Sequence, residues 1–140
     1  MFLLSFVLNA FMQKREKNAF VMDSAMILND FNFFFAKDKK YYTTAEVVEE
    51  IKDFRSRQIL QQGFYEGVLE IKIPSQNSLE KVEKASQKHN LVSRLSETDK
   101  SITALALDLG LPIISDDQAI HRICLELKIA FETVIRRRAK

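Results

Sequence analysis

From Ala19 onward, short apolar runs alternate with segments of helical periodicity, and that alternation predicts an α/β domain on a mostly parallel sheet. Ala19-Phe20-Val21-Met22 reads as a strand ending at Asp23, followed by a short helix through Ala25, Met26, Ile27 and Leu28. Tyr41-Tyr42 is β-prone, and Thr43-Thr44-Ala45-Glu46 then fits the capping box of a helix running through Ile51 and Phe54. Val68 to Ile73 alternates like a strand and halts at Pro74, and Leu79 to Lys88 is a charged amphipathic helix. Ser96 caps a helix in which Ile102, Leu105, Ala106 and Leu109 recur at helical spacing, closed by Gly110. Leu111 to Ile114 is a strand ending at Ser115-Asp116-Asp117; a helix from Gln118 to about Lys128 and a short strand near Ala130-Phe131 follow. The sheet should hold about four or five strands.

Met1 to Met12 breaks this pattern, being apolar but for Ser5 and Asn9. The run is far short of the roughly 18 residues that span a bilayer, so no membrane span is expected. Lys14, Arg15 and Lys17 follow it, whereas a secretion signal carries its basic residues in front. Residues 1–18 therefore read as an appendage, 19–134 as the domain and 135–140 as a basic tail.

Composition narrows the chemistry. A chain of 140 residues with Gly 3 and Pro 2 has room for one domain and none for linkers or low-complexity tracts. A net charge of +2 does not by itself announce a nucleic-acid binder, so any such surface must come from local patches. The lone Cys124 excludes an internal disulfide, a Cys-rich zinc ribbon and a redox pair, and suits the reducing cytoplasm. At helical spacing from Ile120 and beside Ile123, it reads as a small buried apolar residue. His89 and His121 lack metal spacing and read as surface or satisfied core groups. Reactivity is left to carboxylates and hydroxyls.

In open parallel sheets ligands bind beyond the carboxyl ends of the strands. Asp23 and the Asp116-Asp117 pair fall at such ends, Glu50 lies in the helix after Tyr41-Tyr42, and Asp99 lies in the first turn after Ser96. At about 100° per residue, Glu50 falls roughly 90° from the centre of its helix's apolar face and Glu49 nearly opposite it; Asp99 falls roughly 70° from the centre of its own. Glu50 and Asp99 are thus rim residues. Singly, each aspartate is well explained as a helix cap. Together they would repel, unless raised pKa values or a bound cation made the cluster tolerable. Oxygen ligands alone imply a hard ion, Mg²⁺ or Mn²⁺, and such a site hydrolyses phosphodiesters.

FVMDSAMI, TTAEVVEEIKD and LSETDKSITALALDLGLPIISDDQAI, in that order and spacing, resemble the PIN-domain endonucleases over about residues 19–133. The resemblance implies a three-layer α/β domain whose acidic pocket binds a divalent metal and cleaves single-stranded RNA. Its acidic residues would be Asp23, Glu50, Asp99 and either Asp116 or Asp117, all both metal ligands and catalytic. Ser24 and Ser115 would orient them by hydrogen bonding. Within the family, EVVEEIKD with LSETD and ISDDQAI looks most like the Nob-type endonucleases that mature the 3′ end of small-subunit ribosomal RNA. The zinc ribbon that follows in those proteins needs cysteines that this sequence does not offer, so the likeness is to the PIN domain only.

Two alternatives accompany that reading. A VapC-type toxin ribonuclease shares the acidic quartet and implies an antitoxin partner; a non-catalytic PIN module would bind RNA or protein with its carboxylates too far apart for one ion. Lys37 to Lys40, Arg55 with Arg57, and Arg136 to Arg138 are the basic clusters, each by default a solvated face. Arg55 and Arg57 stand out as RNA contacts because they directly follow the Glu50 helix. Phe31, Phe33, Phe34 and Phe35 could stack on bases, but without an RNP-like pattern they read as core or as a self-association surface that would make a homodimer.

Overall fold

The computed structural model describes residues 18–134; the N-terminal appendage up to residue 17 and the basic tail, with Arg136 to Arg138, lie outside the described residues. The strands are β1 (Ala19–Met22), β2 (Lys40–Thr43), β3 (Leu69–Ile71), β4 (Ile113–Ile114) and β5 (Phe131–Glu132). The helices are α1 (Ala25–Leu28), α2 (Ala45–Glu50), α3 (Phe54–Tyr65), α4 (Gln76–Lys88), α5 (Glu97–Leu109) and α6 (Gln118–Leu127). All strand pairs are parallel, in the order β3-β2-β1-β4-β5. The chain steps leftward from β1 to β3, then crosses back and steps rightward from β4 to β5; α1 packs with α3, and α4, α5 and α6 pack with one another, the division between two faces that right-handed crossovers would produce. The result is the three-layer α/β architecture expected.

The central strand explains why its sequence is apolar without alternation. All four residues of β1 are buried, because helices cover both faces of a parallel sheet. Val21, Met22, Tyr41, Ile113 and Ile114 meet Val82, Ile102, Leu105, Ile120 and Ile123 in one continuous core. Cys124 belongs to it; burial pushes its thiol up to about 12, so it packs as an apolar group rather than reacting.

The helix expected through Ile51 and Phe54 is two helices. Ile51 leaves helical geometry (φ −88°, ψ 106°), and Asp53 starts α3 by accepting a hydrogen bond from the Ser56 amide. Two carboxylates, Glu49 and Glu50, end α2, where the negative pole of the helix works against them. The capping box at Thr43 to Glu46 is absent as well. Thr43 is the last residue of β2 and donates its hydroxyl to the Met22 carbonyl, while Thr44 makes no side-chain cap and bonds Ser101 instead. The strands are also shorter than the apolar runs suggested, since pairing covers only Leu69–Ile71 and Ile113–Ile114.

Candidate functional site: a carboxylate cluster at the strand ends

β1 connects leftward and β4 rightward, so the carboxyl ends of these two neighbours form the topological switch point of the sheet. Asp23 follows β1, and Ser115 to Asp117 follow β4. Between them sits the buried Ser115 hydroxyl, which donates to Asp23 Oδ2 (3.0 Å) and accepts from the Asp117 amide (3.1 Å). Ser24 Oγ (3.2 Å) and the Ala25 amide (3.2 Å) donate to Asp23 Oδ1. Both oxygens of Asp23 are therefore held, and the two strand ends are tied together through a single hydroxyl.

Asp117 caps α6, its Oδ1 accepting from the amides of Ala119 (2.8 Å) and Ile120 (3.3 Å). Asp116 turns the other way and accepts from the Val134 amide (2.6 Å), beyond the end of β5. The structure thus separates two adjacent aspartates that the sequence left equivalent. Asp117 joins the cluster and Asp116 closes the sheet edge.

Asp99 arrives from the opposite chain segment. Ser96 and Asp99 form a full capping box, with Ser96 Oγ accepting from the Asp99 amide and Asp99 Oδ2 accepting from the Ser96 amide, both at 3.1 Å. Burial pushes the Asp99 carboxyl above its ordinary value; the hydrogen bonds from Ser96 oppose this, and the negative charges of Asp117 and Asp23 add to it. Beneath them, the Thr44 hydroxyl donates to Ser101 Oγ (2.8 Å), which donates onward to the Thr98 carbonyl (2.7 Å). This buried relay fixes the start of α2 against the first turn of α5.

Glu50 stands apart from the three. It is the last residue of α2, on the same edge of the sheet but exposed. Among the described residues, no three His, Cys, Asp or Glu side chains are placed to hold one metal ion together. The donor chemistry nonetheless suits a hard divalent cation: the ligands on offer are oxygens only, and Asp99, raised chiefly by burial, also feels the negative charges of Asp117 and Asp23.

The two arginines after Glu50 have different surroundings. Arg57 is exposed, whereas Arg55 spends its guanidinium on the carbonyls of Ile27 (2.8 Å) and Phe31 (3.2 Å). The sequence reading missed that bracing role. Its signal lies in α1, a helix of one turn whose final carbonyls need donors from elsewhere. Among the described residues, no helix is long and apolar enough to cross a membrane.

Comparison with known proteins agrees with this architecture. A family model described as the PIN domain of ribonuclease matches residues 20–109. The endoribonuclease Nob1 of Methanothermobacter thermautotrophicus is 34% identical over 119 residues, covering 82% of this chain and 68% of that protein. Ribonuclease VapC3 of Aeropyrum pernix is 32% identical over 90 residues (61% of this chain, 65% of that protein). The 20S-pre-rRNA D-site endonuclease of Saccharomyces cerevisiae is 28% identical over 111 residues, covering 79% of this chain but 24% of that protein. Among solved structures, FitAcB from Neisseria gonorrhoeae shares the fold with a TM-score of 0.53 at 12% identity, over 83% of this chain and 98% of that one. A family match over most of the folded region, and a relative at this identity over most of both chains, identify the chain as a member of the PIN-domain ribonuclease family.

Proposed function

We propose that this protein is a divalent-cation-dependent endoribonuclease that hydrolyses single-stranded RNA, with a precursor of ribosomal RNA as its substrate. One observation supports the reading above the others: the Ser115 hydroxyl ties Asp23 to the Asp117 amide across the two adjacent strand ends at the switch point of the sheet, and Asp99, half-buried in the first turn of α5, senses the charge of both. The names of the Nob1 and D-site relatives supply the substrate class.

Asp23, Asp99 and Asp117 would hold Mg²⁺ or Mn²⁺, and Glu50 would complete the set from the end of α2. Bound there, the ion supplies an activated water and neutralises charge on the phosphate in the transition state. The protein's own contribution is positional. Ser115 fixes Asp23 relative to Asp117, Ser24 holds the other oxygen of Asp23, and the Thr44–Ser101 relay sets α2 against α5. Asp99 is the group with most to gain, since a cation would offset both the burial that chiefly raises its carboxyl and the smaller effect of the neighbouring negative charges. Arg57, exposed one turn into α3, would take a phosphate of the passing strand.

The test is Mn²⁺-dependent cleavage of a pre-rRNA fragment spanning the small-subunit 3′ end, with an unrelated single-stranded RNA as comparison. Asp23→Asn should abolish cleavage while lowering thermal stability by only a few degrees, because the asparagine oxygen still accepts from one side of the site, Ala25 or Ser115, and only the hydrogen bonds on the other side are lost. Cleavage by that variant at the wild-type rate would end the nuclease reading and favour a binding module. The VapC3 likeness supports a second reading, a toxin ribonuclease with an antitoxin. Growth arrest on expression of the chain alone, relieved by a neighbouring gene, would select it.

A further inference from the structure

The segment after α1 carries Phe31, Phe33, Phe34 and Phe35 close together, and the structure gives them different environments. Phe35 is in the core, packed edge-on against Tyr41 (5.0 Å between ring centroids), and Phe33 packs edge-on against Phe35 (5.0 Å). Gly63 of α3 lets Phe35 come this close, since a β-carbon there would sit 2.6 Å from the ring. Phe31 and Phe34 are 80% and 79% exposed. An exposed phenylalanine alone says little.

Phe31 differs from Phe34 in how it is held. The Arg55 guanidinium lies 5.0 Å from the Phe31 ring centroid and donates to the carbonyls of Phe31 (3.2 Å) and Ile27 (2.8 Å). Backbone and ring are thus fixed together, with a cation near one side of the ring and most of the ring surface left to water. The position follows from topology. Arg55 is in the first turn of α3, a helix that runs back from the strand-end edge, and Ile27 is in α1, which leaves Asp23 directly. Phe54, the first residue of α3, is 79% exposed at this edge too.

We propose that the exposed ring of Phe31, braced by Arg55, is a stacking surface for a base of the single-stranded RNA that enters the carboxylate site. This rests on the endoribonuclease reading and adds a binding subsite to it. Stacking on an immobilised ring is tolerant of base identity, and the adjacent guanidinium suits a polyanion better than it suits an apolar protein surface.

The chain contains no tryptophan (Trp 0), so Phe31→Trp installs a unique fluorophore at this surface. In full-length protein carrying Asp23→Asn to prevent cleavage, a uridine-rich single-stranded RNA should quench the indole saturably. In the same background, Phe31→Ala should weaken RNA binding, read by anisotropy of the labelled RNA, by about five- to a hundredfold. Phe31→Trp should bind at least as well as Phe31, and Phe34→Ala should change affinity by less than about twofold. Thermal unfolding of Phe31→Ala within a few degrees of its parent would place the loss at the surface and not in folding. Unchanged RNA affinity in Phe31→Ala, or an indole emission that does not move at saturating RNA, overturns the stacking surface while leaving the nuclease reading intact. An emission that shifts with protein concentration in the absence of RNA assigns the ring to a second copy of the chain and overturns it equally. Absence of RNA binding in every variant, the Phe31 parent included, overturns both.

Discussion

The strand-end edge has two halves built on opposite principles. On the β1–β4 side, Asp23, Ser115 and Asp117 are joined by hydrogen bonds at 3.0 and 3.1 Å, with Asp99 close enough to feel their charge. On the α1–α3 side, Glu50, Phe54, Arg57 and Phe31 face water, and the main polar bracing comes from Arg55 to backbone carbonyls. The first half spends its hydrogen bonds on fixing negative charge, which a cation site requires before any ion arrives. The second leaves flat and charged side chains open, as a surface that must accept a long flexible strand requires. Preorganisation and access are divided between two regions of one edge.

The largest effects should test that division on the acidic residues. Asp117→Asn and Glu50→Gln should each cut Mn²⁺-dependent RNA cleavage by about a hundred- to a thousandfold. Asp116→Asn should leave the rate within about twofold, since its side chain serves the Val134 amide. Asparagine at 117 is as good a cap as aspartate, so the loss should come without a fall in stability. A comparable loss at 116 and none at 117 would reverse the assignment of the two neighbours.

Ser115→Ala comes next, and it strikes only the fixed half. It removes the donor to Asp23 and the acceptor for the Asp117 amide at a buried point, which should cost about 1–3 kcal/mol and several degrees in Tm. Cleavage should fall by about ten- to a hundredfold through misplaced carboxylates. An unaltered Tm would mean that the two strand ends do not depend on this hydroxyl.

Why the sequence showed some of this and not the rest has physical causes. Strand β1 was legible because burial on both faces forces an unbroken apolar run, and α5 because Ser96 and Gly110 mark its ends chemically. The break between α2 and α3 was hidden because the buried Ile51 continues the apolar spacing across it. Helix α3 itself buries little beyond Leu60 and Gly63 and exposes Phe54 and Tyr65, so its periodic signal is thin; Asp53 three residues before Ser56 was the better clue. Strand-end placement of Asp23 and first-turn placement of Asp99 followed from local pattern. The choice between Asp116 and Asp117 depends on Val134, a contact across 18 residues that no local pattern encodes.

Asp99 supplies a smaller effect with a definite sign. Its carboxyl is raised in the folded state, so folded protein holds the proton more tightly than unfolded protein does. The stability this contributes is present at acid pH and lost as pH rises through the folded value. Asp99→Asn keeps an acceptor for the Ser96 amide while removing the charge. Without divalent ions it should therefore be the more stable protein near neutrality, by less than about 1 kcal/mol given partial solvent screening, with the difference shrinking on acidification. Mn²⁺ should raise the Tm of the wild type more than that of the variant. Thermal melts across pH 4–8 measure both, and a variant less stable at every pH would mean that neither burial nor like charge penalises the Asp99 carboxylate.

The finest test concerns Glu50 before any ion or RNA is present. On the open half, a carboxylate at the end of α2 opposes the helix dipole and has no cation paired with it among the described residues. Glu50→Gln should then raise the ion-free Tm by about a degree, an increment that shrinks as salt is added. Glu49→Gln, at the same helix end, should do the same. The two variants should part only in RNA cleavage, lost at 50 and kept at 49. A clear fall in Tm at 50 alone would show that its carboxylate is already engaged in the resting protein, and the edge would no longer divide into a fixed half and an open one.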